Sequence, residues 1–263
     1  MSAFPKLSAC IITLDEEDRI EDCLASVDFC DEIVVVDSHS TDRTRERAAA
    51  RGARVVERDG PGHVKQKEFA LRAASHDWVL CIDADERVSP ELRGEILALR
   101  ERGFPGAAGW EFPRRNHYLG RSIEHGLWVP DRKLRLFDRR RGRWGGNDPH
   151  DRVLLDGPKG RLKGTLLHDS YRDFAHHLST IDRYTTIMAR GLHERGRRAR
   201  PWDLVLPPLG RFVKGYFIKL GFLDGWRGLL IVLLSAHYVR LKYAKLLVLQ
   251  RAGEEVEATK ERS

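Results

Sequence analysis

The sequence predicts an α/β protein with a doubly wound, mostly parallel sheet and a C-terminal helical arm. Three observations predict it. Short apolar runs alternate with helical patterns from Leu7 to about residue 103. Two of those runs end on an aspartate, Asp37 and Asp83. The apolar spacing becomes helical again from Phe174 onward. Strand–helix alternation is the signature of βαβ units, and ligands of such sheets bind beyond the carboxyl ends of the strands.

Taken in order, Leu7–Leu14 reads as a buried strand, and Glu16–Val27 as a helix with Ile20, Leu24 and Val27 on one face. Glu32–Asp37 is a second strand, and Ser38–Thr41 offers cap residues for a helix ending at Gly52. Arg54–Glu57 is a short third strand. The Gly60–Gly62 turn leads into a helix reaching about Ala74. Trp78–Ile82 is a fourth strand, and Ser89-Pro90-Glu91 opens another helix. Ala108–Pro113 and Lys133–Phe137 read as strands separated by a polar loop, Arg114–Trp128, and Arg161–His168 as one further strand. Leu209–Leu249 reads as one or two amphipathic helices. The domain division expected is a catalytic domain over 1–172, a helical region over 173–253 and a charged tail over 254–263.

A chain of 263 residues with 41% hydrophobic content can build a sizeable core, and a net charge of +7 favours anionic partners. The four cysteines contain no C-x-x-C, which fits buried thiols in a reducing compartment. The N-terminus shows no signal-peptide pattern. The uncharged stretch Gly228–Val239 has twelve residues, short of the roughly 20 a membrane-spanning helix needs.

Chemistry concentrates in Asp83-Ala84-Asp85-Glu86, directly after the fourth strand. Carboxylates two residues apart at a strand end can converge on Mg²⁺ or Mn²⁺, which take oxygen ligands and leave positions for phosphate oxygens. Asp37 ends the second strand one residue too early to cap the helix after it, which favours contact with a base or ribose.

These segments carry a resemblance. Ile-Ile-Thr-Leu-Asp-Glu-Glu, Ile-Val-Val-Val-Asp-Ser-His-Ser-Thr-Asp and Asp-Trp-Val-Leu-Cys-Ile-Asp-Ala-Asp-Glu occur in that order. Together they resemble the family-2 glycosyltransferases, inverting enzymes of the GT-A fold. Trp128–Asp138 and Asp224-Gly-Trp-Arg-Gly-Leu229 are similar to the lipopolysaccharide core branch of that family. The resemblance implies transfer of a hexose from a nucleotide-sugar, a UDP-sugar above all, to a lipid-linked or lipopolysaccharide-core glycan. It places Thr13 and Glu16 at the nucleotide, Asp37 at the base, and Gln66 and Lys67 near the donor. Glu68 departs from the pattern, standing where relatives often carry an amide. Asp83 and Asp85 match the Asp-X-Asp metal motif, with Asp85 the more direct ligand. His168 is a candidate third ligand.

Inversion needs a general base for the acceptor hydroxyl. Pro149-His150-Asp151-Arg152 supplies Asp151, with Asp148 in reserve. On the Lys133–Phe137 strand, Arg135 is placed to grip a diphosphate. Arg139–Arg143 reads as a surface turn or a contact for an anionic acceptor.

From Leu209 to Arg251 eight basic residues face a single acid, Asp224, with aromatics interleaved. Such helices lie in the headgroup plane of anionic bilayers. The expected place is therefore cytoplasmic, peripheral at the inner face of the membrane, with no nucleic-acid partner. Two alternatives stand beside this: a sugar nucleotidyltransferase, and a non-enzymatic basic membrane-binding module. An aspartate-nucleophile phosphatase is excluded by Arg87, where that motif needs Thr or Val.

Overall fold

The computed structural model describes residues 4–60, 62–147 and 150–260. The chain divides into two compact units, one of residues up to Asn116 plus Asp131–Ser170, the other of His117–Pro130 plus Tyr171 onward.

In the first unit, β1 (Leu7–Thr13), α1 (Ile20–Ser26), β2 (Glu32–Asp37), α2 (Thr44–Ala50), β3 (Arg54–Glu57), α3 (His63–Ala73) and β4 (Trp78–Asp83) follow one another as expected. Next come β5 (Glu86–Val88), α4 (Pro90–Glu101), β6 (Gly109–Tyr118, its last two residues in the second unit), β8 (Arg132–Asp138), β9 (Gly142–Asn147), β10 (His150–Leu155), β11 (Lys159–Arg161) and β12 (Leu166–Asp169), while the short β7 (Arg121–Ser122) belongs to the second unit. The sheet runs β3-β2-β1-β4-β8-β6-β12-β5. Its first four strands are parallel, β8 pairs antiparallel to both β4 and β6, and β9–β10 form a separate hairpin.

Period-2 alternation sorts the core onto the two faces of the sheet. Leu7, Ala9 and Ile11 of β1 and Leu80 and Ile82 of β4 pack with α1, α2 and α4. Cys10, Val79 and Cys81 face the other way, with α3 and the hairpin residues Trp144 and Val153. Helices on both faces make the sheet doubly wound. The α/β, GT-A-type class expected is the one this strand order shows.

Several element boundaries differ from expectation, each for a local reason. Residues 16–19 form a turn, because the Glu16 carbonyl accepts from both Arg19 and Ile20 amides. The helix after β2 starts at Thr44, whose amide donates to Asp42 Oδ1 at 3.0 Å. The loop expected at 114–128 is partly strand, since β6 continues to Tyr118 and turns back into β7. The single strand expected over 161–168 is two strands. Between them the Lys163 and Gly164 amides donate to Glu95, and a Cβ at Gly164 would lie 2.4 Å from Leu92 backbone.

The second unit holds α5 (Phe174–Glu194), α6 (Leu206–Val213) and α7 (Gly225–Lys260). Between α6 and α7 run a π turn, Lys214–Ile218, and a 3₁₀ turn, Gly221–Asp224. The helical backbone therefore continues through most of the charged tail expected from residue 254. Segment 117–130 belongs to this unit. Asp224 accepts from the Glu124 and His125 amides, and Arg227 donates to the Leu119 carbonyl. A Cβ at Gly228 would sit 1.8 Å from the Gly221 oxygen, so the Asp-Gly-Trp-Arg-Gly motif ends on the residue that this packing demands. Tyr118 Oη and His177 Nδ1 share a 2.8 Å hydrogen bond inside an aromatic cluster. Burial, reinforced by His176, lowers the His177 pKa to about 4, so its imidazole is neutral. Among the described residues no helix is long and apolar enough to cross a membrane.

Candidate functional site

The carboxyl ends of β1, β2 and β4 deliver Thr13, Asp37 and Asp83 to one edge of the first unit. Around Asp83 lies a dense ion cluster. Lys67, buried on α3, places Nζ 3.0 Å from Asp83 Oδ2 and 2.8 Å from Asp151 Oδ2. Arg135, buried on β8, donates to Asp83 Oδ2 at 3.0 Å and approaches Asp151 Oδ2 at 3.9 Å. The Trp144 ring lies against both cations, 4.9 Å from Lys67 Nζ and 5.2 Å from the Arg135 guanidinium carbon.

Glu86 underpins the cluster. It is fully buried, accepts from the Asp83 amide at 2.9 Å, and pairs with Arg114 at 3.0 Å and Arg135 at 3.5 Å. Buried charges persist only when matched in this way. Burial alone would raise the Asp83 and Asp151 pKa values, but Lys67 and Arg135 outweigh it and hold both carboxyls below the ordinary aspartate range. Glu86 and Asp83, foremost among its neighbours, raise the Arg135 pKa against its burial.

Asp85 stands apart from this cluster. Its Oδ2 is 3.2 Å from His168 Nε2. His168 Nδ1 is 2.6 Å from Asn116 Oδ1, which can only accept, so Nδ1 donates there; Nε2 faces Asp85, as a donor when the imidazole is protonated and as a lone pair for a cation when it is not. Burial raises the Asp85 pKa, and the His168 charge and hydrogen bond more than reverse it. Two donor groups facing each other fit a hard cation that keeps water and phosphate oxygens in its other positions. Among the described residues no third histidine, cysteine or acid joins them to make an all-protein cage.

Asp83, expected to share that cation, has Oδ2 held by Lys67 and Arg135, while its buried Oδ1, 2.9 Å from Lys67 Nζ, has no hydrogen-bond partner among the described residues. Asp37, expected at the nucleotide base, is fully buried and accepts from the Ser40 amide and hydroxyl. Glu16 takes part through its amide, which donates to Thr44 Oγ1 at 2.8 Å, and Gln66 Nε2 donates to Ser38 Oγ at 3.1 Å. Glu68, the departure from the family pattern, pairs with Arg72 and accepts from the Trp144 amide. Asp148 lies outside the described residues.

Buried polar atoms almost always find partners, and orphans concentrate where ligands bind. Thr13 Oγ1, Gln66 Oε1, Arg135 Nε and Trp144 Nε1 are buried with no hydrogen-bond partner among the described residues. All four belong to this site.

Four contributors were missed in the sequence. Glu86 was visible in the acidic run without a separate role. Arg114 and Asn116 lie two apart on β6, a periodicity hidden once the segment read as loop. Trp144 had no signal beyond its place after the arginine run.

A model of the family described as Glycosyl transferase family 2 matches residues 8–153. The chain is 33% identical to a lipopolysaccharide core biosynthesis glycosyltransferase of Rhizobium meliloti, over 91% of each chain. An uncharacterized glycosyltransferase of Rickettsia typhi is 29% identical over 92% of this chain and 86% of its own. Among solved structures, the Mycobacterium tuberculosis glucosyl-3-phosphoglycerate synthase complex with Mn²⁺, UDP and glucosyl-3-phosphoglycerate is 29% identical. That likeness covers 43% of this chain and 44% of that one, with a TM-score of 0.35.

Proposed function

The chain belongs to glycosyl transferase family 2, and on that premise we propose that it is a metal-dependent, inverting hexosyltransferase. Its donor is a UDP-sugar and its acceptor a lipid-linked or lipopolysaccharide-core glycan. The observation that carries this reading is the side-by-side placement of the Asp85–His168 pair and the Lys67–Asp83–Arg135–Asp151 cluster at the strand ends.

Asp85 and His168 would hold Mg²⁺ or Mn²⁺, with Asn116 fixing the imidazole, and the bound ion would supply positive charge against the departing diphosphate. Lys67 and Arg135 face the same anion, and Asp83 keeps both cations in place. Thr13, Glu16 and Gln66 frame the nucleotide. Asp37 shapes that pocket through the turn it holds with Ser40.

Asp151 takes the proton from the acceptor hydroxyl. The hydroxyl oxygen then bonds to the anomeric carbon on the face opposite the diphosphate, and the bond from that carbon to the phosphate oxygen breaks. Lys67 keeps Asp151 ionised until the acceptor arrives. Asp148 is the reserve base.

The acceptor assignment draws on similarity to the Rhizobium meliloti enzyme. A peripheral place at the anionic inner face of the membrane draws on the exposed apolar side chains of the arm, Leu209, Phe217, Ile218 and Trp226 among them, interleaved with Arg211, Lys214 and Lys219.

Mn²⁺-dependent hydrolysis of a UDP-sugar to UDP tests the enzyme assignment. Asp85→Ala is expected to lower turnover by roughly 100- to 1,000-fold and to remove metal-dependent nucleotide binding. Asp151→Asn is expected to abolish transfer while sparing nucleotide binding. An active Asp151→Asn variant places the base elsewhere.

A further inference from the structure

On the first unit, a groove of about 1100 Å³ is bordered by the end of α3, the turn from β8 to β9, and β10. Its cations fall into two groups. Arg72 is paired with Glu68, Arg140 with Asp77 and Asp138, and Arg139 donates to carbonyls at the end of α3. Arg141, Arg143, Arg152 and Lys159 also line it, and none has a side-chain hydrogen bond or ion pair among the described residues. Among the described residues, Asp156 is the lining acid without an ion pair.

The hairpin register makes this arrangement specific. Val153 stands opposite Trp144 and Leu154 opposite Arg143. Alternation therefore sends Trp144, Asp151 and Val153 to the inner face, where Trp144 meets Lys67 and Arg135. Arg143 and Arg152 go to the outer face. The residue bearing the candidate base is thus followed directly by an exposed arginine with no counterion among the described residues.

Clustered exposed arginines repel one another and cost stability unless an anion joins them. Guanidinium forks fit phosphate oxygens bidentately. We propose that this outer face binds a phosphate ester carried by the acceptor, anchoring it beside the hairpin that presents Asp151. The proposal rests on the glycan-acceptor reading above.

The test uses the double variant Arg143→Gln/Arg152→Gln, both positions exposed and clear of the donor site. Titration with inorganic phosphate is expected to show binding weakened by about tenfold or more. Acceptor-free hydrolysis of the UDP-sugar is expected to stay unchanged. With core oligosaccharide as acceptor, phosphatase treatment should raise the wild-type KM and leave the KM of the double variant where it already stands.

Unchanged phosphate affinity overturns the proposal. So does an equal response of both proteins to phosphatase treatment, or a variant that loses anionic-vesicle binding while keeping phosphate binding, which assigns the groove to a bilayer. Absent hydrolysis in the wild type strikes the transferase reading instead, and is seen independently of the phosphate titration.

Discussion

The candidate site and the C-terminal arm solve opposite problems. In the site, charge is sunk into the fold and matched: Lys67, Arg135 and Glu86 are buried and Asp83 is half-buried, each against an opposite charge. In the arm, apolar surface is left outside: Phe217 is 56% exposed, Trp226 58% and Ile218 70%. Buried charge without a partner and exposed hydrophobe without a cover are both costly. The first unit resolves its cost internally. The arm leaves its apolar side chains uncovered among the described residues. Substitutions should therefore damage the site through stability and the arm through association.

The largest effect is expected from Lys67→Met. Methionine fills similar space but leaves Asp83 and Asp151 short of a counter-charge, a loss of about 3–5 kcal/mol in unfolding free energy. The sign with pH sharpens this. Both carboxyls have folded pKa values below their unfolded value of about 3.9, so their contribution is present above that pH and lost as pH falls through the depressed folded values. The gap in denaturation midpoint between wild type and variant should be widest above about pH 5 and narrow below about pH 4. A gap that does not change with pH would make Lys67 a packing residue.

Asn116→Ala is expected to act next in size. It removes the acceptor that fixes the His168 proton on Nδ1, and such supporting groups are worth roughly 10- to 100-fold in metal affinity. Mn²⁺ titration followed by thermal shift measures it. Unchanged affinity would remove His168 from the cation site, and with it the separation of Asp85 from the buried cluster.

How much of this could be read in advance follows the same divide. The parallel strands were legible because Leu7–Thr13, Glu32–Asp37 and Trp78–Asp83 are mostly apolar, as strands covered on both faces are. Asp83 and Asp85 were legible as a pair, with Asp85 expected as the more direct ligand, but the partners that divide them in space were not. That division depends on Lys67 and Arg135, 16 and 52 residues away from Asp83 in the chain. Asn116 was hidden because the strand carrying it is interrupted by polar residues whose partners lie elsewhere in the fold. In the arm, the mixture of cations and aromatics was plain. The breaks into a π turn and a 3₁₀ turn were not, because they answer to Asp224, Arg227 and Gly228 packing on distant backbone.

The smallest effect, and the one that separates the two regions most cleanly, is expected at Ile218→Ser. Ile218 ends the π turn and contributes little to the core, so unfolding free energy should change by no more than about 0.5 kcal/mol. If the arm meets a bilayer, the lost side chain removes about 1 kcal/mol of apolar transfer, roughly fivefold in partition onto anionic vesicles measured by co-sedimentation. Acceptor-free hydrolysis should not move, because the residue belongs to the other unit. A variant that partitions like the wild type shows that Ile218 is not the surface that meets lipid. One that unfolds instead shows that the arm's exposed face is structural, and the contrast between the two regions fails at that point.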